Sequence, residues 1–155
     1  MHVVDALTGL TRVFLDTAPI IYHVEGHATY QAVTDIVFQR IGDGVLEGVT
    51  SSITLAECLV HPYRQENNDL VRRFRSVITT GAHTHYVGVD AVVEHAAQLR
   101  ACYNLTLTDA FQVAAALVGG CQGFLTNDLT LKRVRELTIL VLDELEPSPA
   151  PTAHA

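Results

Sequence analysis

The 155-residue chain contains no tryptophan, only three cysteines and no apolar run as long as a membrane span. Cys58, Cys102 and Cys121 form no close pair and no metal-binding spacing. They are therefore predicted to be reduced thiols that pack as small apolar side chains. The N-terminus also lacks the charged, apolar and small-residue order of a secretory signal. We expect a cytoplasmic protein without a membrane segment.

Basic residues are also few. Ten Lys and Arg residues against 17 Asp and Glu residues give a net charge of −7, which argues against nucleic-acid binding by bulk charge alone. Most of the basic residues nevertheless fall in two stretches, which are Arg64, Arg72, Arg73 and Arg75, then Lys132, Arg133 and Arg135. Each stretch is a candidate local basic surface. The alternative for any one of these side chains is a solvated helix face.

Sequence motifs of several hydrolase classes are missing. The chain has no HExxH, no Cys/His grid, no Gly-x-Ser-x-Gly elbow and no P-loop lysine motif. His83 and His85 stand close together but without a ligand-like cluster, which favours surface or structural roles. These absences remove the usual zinc-protease, serine-hydrolase and nucleotide-triphosphatase signals.

The pattern of apolar residues predicts the domain organisation. The length and the 48% apolar content fit one globular domain at 1–146, with a core at about 11–145 and a disordered proline-rich tail at 147–155. Strands are predicted at 12–15, 48–52, 85–89, 123–126 and 138–142. Helices are predicted at 19–26, 28–41, 53–61, 67–79, 91–103, 109–118 and 128–136. This alternation indicates an α/β fold with a parallel sheet and helices on both faces.

Four carboxylates stand where an apolar run gives way to a predicted helix. They are Asp16, Glu57, Asp109 and Asp128. In open parallel sheets, ligands bind outside the carboxyl ends of the strands. Crowded carboxylates repel one another, and a divalent cation with a preference for oxygen ligands relieves that repulsion. The four acids therefore predict a Mg²⁺ or Mn²⁺ site suited to metal-assisted phosphodiester hydrolysis.

Helix capping is the alternative for each acid taken alone. Glu57 and Asp109 each lie three residues after a threonine, which is the capping-box spacing. Asp16 and Asp128 stand just before predicted helices, where a carboxylate caps the first turn. The joint placement of all four acids favours the metal site.

Four segments, at 12–22, 51–59, 107–116 and 124–128, together resemble the PIN-domain nucleases. The compact size is most similar to the VapC-type toxins of prokaryotic toxin-antitoxin pairs. The resemblance covers residues 11 to 145 approximately. It implies a three-layer α/β/α sandwich with a central, mostly parallel sheet, and an endoribonuclease that depends on Mg²⁺ or Mn²⁺.

The resemblance also assigns residues by position. Asp16, Glu57, Asp109 and Asp128 match the acidic, metal-binding site of the family. Three supporting residues match as well: Thr17 and Thr126 are the small polar residues beside the acids, and Asn127 is the asparagine before the last acid. One departure is Ala18, where many members carry asparagine. This change removes no carboxylate.

The implied partners are an RNA substrate, a second copy of the chain in a homodimer and a cognate antitoxin that lies across the acidic groove. The basic residues at 64–75 and 132–135 would steer the RNA backbone. Two alternatives stay open. One is a catalytically silent PIN-like module that binds RNA or protein in a regulatory or RNA-processing assembly. The other is a DNA-directed nuclease, because metal and phosphate contacts read neither base nor sugar.

Overall fold

Five short strands pair in parallel to form one central sheet in the computed structural model, which describes residues 1–147. The strands are β1 (Arg12–Leu15), β2 (Glu47–Ser51), β3 (Thr84–Val87), β4 (Gly123–Thr126) and β5 (Thr138–Val141). Their order across the sheet is β3-β2-β1-β4-β5, which puts β1 at the centre. Phe14 of β1 is in register with Val49 of β2 and Phe124 of β4. The predicted parallel sheet is confirmed.

Helices connect the strands and cover both faces of the sheet. They are α1 (Val3–Leu7), α2 (Thr17–Glu25), α3 (Gln31–Gly42), α4 (Ser52–Arg64), α5 (Asn68–Thr79), α6 (Val93–Tyr103) and α7 (Leu107–Val118). Short 3₁₀ turns follow β3, β4 and β5. Within residues 1–147, none of the helices is long and apolar enough to cross a membrane.

Two apolar cores separate the three layers because successive side chains of a strand point to opposite faces. Val13 and Leu15 join the core beneath α1 to α5. Phe14, between them in sequence, joins the core beneath α6 and α7, where it stacks on Phe124 with ring centroids 4.9 Å apart. This arrangement confirms the predicted α/β/α sandwich.

Helix α7 lies close to the sheet because its buried face is built from small side chains. These are Ala110, Ala114, Ala115 and Ala116. Its C-cap, Gly119, comes so near to β2 that an added Cβ would lie 2.7 Å from Cγ1 of Val49. The helix therefore holds its first turn, which carries Asp109, at a fixed distance from the sheet.

Two of the predicted helices differ from the structure. The helix predicted at 53–61, just before Pro62, continues as α4 to Arg64, and Pro62 is buried inside its last turn. One proline in a last turn removes a single helical N–H donor, and the packing of α4 on α5 outweighs that loss. The helix predicted at 128–136 is only a 3₁₀ turn, Leu129–Arg133. The turn stops there because Val134 adopts an extended backbone and its side chain is buried in the core beneath α6 and α7.

At the N-terminal end of the chain, the sequence pattern of residues 1–11 is ambiguous and predicts neither a helix nor a strand. The structure forms α1 there, and the N–H of Val3 donates to the carbonyl of Glu146 at 2.9 Å. The disordered tail predicted at 147–155 falls, apart from Pro147, outside the described residues.

Replacing Gly119 with alanine tests the close approach of α7. We expect Gly119→Ala to lower the free energy of unfolding by about 1–3 kcal/mol, because the added methyl group overlaps Val49. Gly42→Ala is the matched control, since nothing lies within 4 Å of its added Cβ. That control should be neutral or stabilising by up to about 1 kcal/mol. Urea unfolding measures both, and equal effects would contradict the packing argument.

The three thiols should differ in reactivity. Burial raises the pKa of the Cys121 thiol to about 12 and also raises the pKa of Cys58, while Cys102 is exposed. Because a raised pKa keeps a thiol protonated and unreactive at pH 8, we expect one fast equivalent per chain with a thiol-specific chromogenic reagent. Unfolding in denaturant should release all three. Fast reaction of two thiols in the native protein would show that one buried site opens readily.

Candidate active site

Asp16 follows β1 directly and lies at the carboxyl edge of the sheet, where three donors hold its carboxylate. Oδ1 accepts the N–H of Thr17 at 2.9 Å and an N–H of the Gln112 side chain at 3.4 Å. Oδ2 accepts the hydroxyl of Thr126 at 2.7 Å. The bond from Thr17 makes Asp16 the N-cap of α2. The capping alternative is thus correct for Asp16, but capping engages only one of its two oxygens.

The electrostatic surroundings of Asp16 disfavour its charged form. Burial raises its pKa, and the negative charges of Glu57 and Asp109 add to the rise. Hydrogen bonds from Thr126 and Thr17 act in the opposite direction without cancelling it. A carboxylate whose pKa is raised by both burial and like charges is one that a nearby cation would stabilise.

Glu57 lies on the second turn of α4, the helix that follows β2. Its Oε1 accepts the hydroxyl of Thr17 at 3.0 Å, so one residue links Glu57 to the loop that carries Asp16. The capping alternative for Glu57 is wrong. The N-cap of α4 is Ser51, whose Oγ accepts the N–H of Thr54 at 3.1 Å.

Asp109 lies in the first turn of α7, three residues after the N-cap Thr106. The hydroxyl oxygen of Thr106 accepts the N–H of Asp109 at 3.1 Å, so this pair has the capping-box spacing that the sequence predicts. The Asp109 carboxylate is half-buried, and burial raises its pKa. A hydrogen bond with the Thr106 side chain lowers that pKa, the charge of Asp128 raises it and the charge of Arg133 lowers it.

Asp128 follows β4 and caps the short 3₁₀ turn. Its Oδ1 accepts the N–H of Thr130 at 2.9 Å and the Thr130 hydroxyl at 2.7 Å. Its own N–H donates to the Thr126 hydroxyl at 3.1 Å. Asn127 beside it points elsewhere, and its side-chain oxygen accepts the N–H of Asp143 at 3.2 Å. The capping alternative is therefore correct for one oxygen of Asp128.

The four acids influence one another electrostatically at this edge of the sheet. The charges of Glu57 and Asp109 raise the pKa of Asp16, and the charge of Asp128 raises the pKa of Asp109. As placed, however, no three Asp, Glu, His or Cys side chains within residues 1–147 converge closely enough to hold a metal ion. Repulsion between the carboxylates and the caps at Asp16 and Asp128 both oppose convergence. The donor set still fits a hard divalent cation, because it offers carboxylate oxygens that carry uncompensated negative charge.

The two basic stretches differ in their relation to these acids. Arg133 influences the pKa of Asp109, and its guanidinium lies 3.5 Å from the carbonyl oxygen of Asn104. Lys132 pairs with Glu144 at 2.5 Å. Arg133 is thus a predicted substrate-binding residue whose charge acts on one of the four acids.

The residues of the 64–75 stretch lie on α4 and α5, where several bond to neighbouring protein groups. The contacts are Arg72 with the Asp69 carboxylate, Arg73 with the Val24 carbonyl at 2.6 Å and Arg75 with the Tyr63 hydroxyl at 3.3 Å. Arg64 is exposed in the last turn of α4. The contact of Arg73 joins α5 to α2, which gives this side chain a structural role.

Sequence reasoning missed the buried polar side chains beneath Asp16. Gln112, Ser51 and Thr54 are all buried and bond to one another. A signal was present: Gln112 is the one polar residue of α7 after Asp109, and it stands one helical turn further along. An amide on an otherwise apolar helix face needs hydrogen-bond partners in the core.

The chain matches one family model and is similar in fold to several solved structures. The family model described as PIN domain matches residues 13–137. The fold is similar to a chain of VapBC2 from Rickettsia felis bound to a DNA fragment from its promoter, with a TM-score of 0.65 and 16% identity over 84% of this chain and 98% of that one. It is also similar to a chain of a toxin-antitoxin complex from Klebsiella pneumoniae, with a TM-score of 0.63 and 17% identity over 84% and 97%.

A third similar structure is VapC20 from Mycobacterium tuberculosis, described as a Sarcin-Ricin loop cleaving toxin. The TM-score is 0.57, with 14% identity over 72% of this chain and 86% of that one. At these identities the likeness concerns the fold alone. No curated protein matches the sequence significantly.

Replacing Thr126 with valine tests the support of Asp16. Thr126→Val keeps the shape of a fully buried side chain but removes the donor to Asp16 and the acceptor for the N–H of Asp128. We expect the free energy of unfolding to fall by about 1–3 kcal/mol, because buried polar groups lose partners. Thr8→Val, at an exposed threonine that bonds within its own turn, should change stability by less than about 0.5 kcal/mol. Chemical denaturation measures both variants. If Thr126→Val and Thr8→Val were equally stable, Thr126 would not be a support of Asp16.

Proposed function

The chain belongs to the PIN domain family, and from that premise we propose that it is a divalent-metal-dependent endoribonuclease, the toxin of a toxin-antitoxin pair. The observation that carries the proposal is the environment of Asp16. This carboxylate is partly buried at the carboxyl end of the central strand, and the charges of Glu57 and Asp109 act on it. Like charges that are partly removed from water at a sheet edge are costly unless a cation or substrate uses them.

We propose that Asp16, Glu57, Asp109 and Asp128 hold Mg²⁺ or Mn²⁺. When bound, such an ion polarises a phosphodiester and favours attack by water. The protein supplies the orientation of the acids. Thr126 and Thr17 fix Asp16, and the Thr17 hydroxyl also orients Glu57. Asn127 holds the loop before Asp128 through its bond to the backbone of Asp143.

We assign substrate contacts first to Arg133, because it lies near Asp109 and a guanidinium binds phosphate through paired N–H donors. Lys132 and the exposed Arg64, Arg72 and Arg75 are further candidates for steering the RNA backbone. Arg73 is the weakest candidate, since its guanidinium already donates to a backbone carbonyl.

Ala18 is compatible with an active enzyme. The asparagine that many family members carry at this position is absent, but Asp16 is held by Thr17, Gln112 and Thr126 without it. The substitution leaves all four carboxylates in place. We therefore propose that the chain is catalytically competent.

We propose a cognate antitoxin as the protein partner, and a homodimer as the state of the toxin. Three of the structures similar in fold are described as VapBC or toxin-antitoxin complexes. A cleft of about 160 Å³ beside Glu57 is lined by Ile21, Glu25, Glu57, Cys58, His61, Pro62 and Phe74. An antitoxin arginine entering there would pair with a carboxylate and compete with metal and substrate. Such a toxin would act in the cytoplasm, on RNA.

Conservative replacement of the acids tests the nuclease. We expect Asp16→Asn and Asp109→Asn each to lower Mn²⁺-dependent cleavage of tRNA or ribosomal RNA by at least about 100-fold, because losing one ligand removes several kcal/mol of transition-state stabilisation. Asp43→Asn is the matched control, at an exposed acid that follows α3 before β2 begins. Cleavage should be unchanged in that variant. Full activity in both Asp16→Asn and Asp109→Asn would refute the assignment.

The alternative is a catalytically silent PIN-like module that binds RNA or protein. It is favoured by one observation, which is that the carboxylates do not converge as placed within residues 1–147. Calorimetric titration with Mn²⁺ separates the two functions. Binding that is lost in Glu57→Gln and Asp128→Asn supports the nuclease, whereas an absence of Mn²⁺ binding in the wild-type protein supports the silent module.

A single-stranded DNA substrate in the cleavage assay decides between RNA- and DNA-directed activity.

A further inference from the structure

Gln112 sits beneath the acidic edge with both ends of its side-chain amide engaged. It is 2% exposed and lies on α7, one turn after Asp109. Its Nε2 donates to the Thr54 hydroxyl oxygen at 2.7 Å and to Oδ1 of Asp16 at 3.4 Å. Its Oε1 accepts the hydroxyl of Ser51. A buried amide with three partners has one defined orientation.

The reverse orientation of the amide is unfavourable. It would turn the carbonyl oxygen of Gln112 toward the Asp16 carboxylate, so that two acceptors would face each other. The observed orientation instead points the NH₂ group at Asp16 and the carbonyl oxygen at a hydroxyl donor. The direction in which Gln112 donates is therefore set by the groups around it.

Each partner of Gln112 belongs to an element that carries a proposed metal-binding acid. Ser51 is the N-cap of α4, and Thr54 stands on that helix one turn before Glu57. Asp16 directly follows β1, and Gln112 itself shares α7 with Asp109. The Gln112 side chain thus joins β1, α4 and α7 close to the acids that these elements position.

The donors around Asp16 are divided unequally between its two oxygens. Oδ1 receives the N–H of Thr17 and the amide of Gln112, whereas Oδ2 receives only the hydroxyl of Thr126. Each carboxylate oxygen has two lone pairs, so Oδ1 is filled and Oδ2 retains one acceptor position. Gln112 supplies the second donor to Oδ1, which makes Oδ2 the oxygen that is open to a cation.

We propose that Gln112 is a positioning residue of the acidic site, whose amide fixes Asp16 with Oδ2 open and holds the helices that carry Glu57 and Asp109 to it. The part of this proposal that concerns a cation rests on the proposed function. The part that concerns Asp16 does not, because the hydrogen bond exists whether or not an ion is bound.

Metal affinity tests the first part. Calorimetry with Mn²⁺ alone on the full chain should show binding about 10-fold weaker in Gln112→Met, since groups that orient metal ligands typically contribute this much to affinity. Gln122→Met is the matched control. The side-chain oxygen of Gln122 accepts the N–H groups of Thr11 and Arg12, at the opposite end of β1. The control should bind Mn²⁺ as the wild-type protein does, even where its melting temperature falls.

Two outcomes would overturn the metal-positioning role: wild-type affinity in a folded Gln112→Met variant, or equal weakening in Gln112→Met and Gln122→Met. A loss of stability alone lowers the melting temperature without changing the affinity of the folded protein. The measurement therefore distinguishes positioning from a purely structural role.

Nitrogen-proton correlation spectra of the metal-free protein test the second part, and they also apply if Gln112→Met fails to fold. We expect Asp16→Asn to shift the side-chain amide signals of Gln112, and Asp128→Asn to leave them in place. Signals unchanged by Asp16→Asn would overturn the proposal. If the wild-type protein binds no Mn²⁺, the proposed function fails, while these spectra still decide whether Gln112 holds Asp16.

Discussion

The carboxylate of Asp16 is partly withdrawn from water at the end of the central strand, and the surrounding elements are arranged to hold it there. Removing a charge from water is expensive, and the protein offsets part of that cost with hydrogen bonds from three other elements. Thr17 begins α2, Gln112 lies on α7 and Thr126 ends β4. The Thr17 donor is local, but the donors from Gln112 and Thr126 are in place only when α7 and β4 have packed against β1, so the complete site is a property of the whole fold. The raised pKa of Asp16 shows that the offset is incomplete.

The two edges of the sheet have different electrostatic roles. At the amino edge, opposite charges pair, as in the contact of Arg12 with Glu47 at 2.5 Å, and this contact ties β1 to β2. At the carboxyl edge, like charges are held near each other, and helices begin beside them with N–H groups that point toward the acids. The first edge contributes to holding the strands together. The second keeps negative charge available, which costs stability unless a ligand neutralises it.

The sequence predicted the order and type of most elements because their apolar periodicity is strong. It failed at 128–136, where Val134 leaves the helical conformation to bury its side chain in the core and only a 3₁₀ turn forms. It also failed at Pro62, where packing between helices outweighs a local helix-breaking signal. In both places the deciding interaction is absent from the periodic pattern. Capping could not be settled from the sequence either: Asp16 and Asp128 are N-caps and Asp109 stands at the capping-box position after Thr106, whereas Glu57 takes no part in the cap of α4.

The α/β class, the family resemblance and the identity of the four acids follow from local features, which are the strand and helix periodicity and the residues after each strand. The groups that surround those acids are brought together by folding. Gln112 lies 96 residues from Asp16 in the chain, and Thr126 lies 110 residues away. Arg133, in the turn that follows β4, influences the pKa of Asp109 on α7 although the two residues lie on separate elements. Contacts of this kind depend on strand order, which no local pattern of residues specifies.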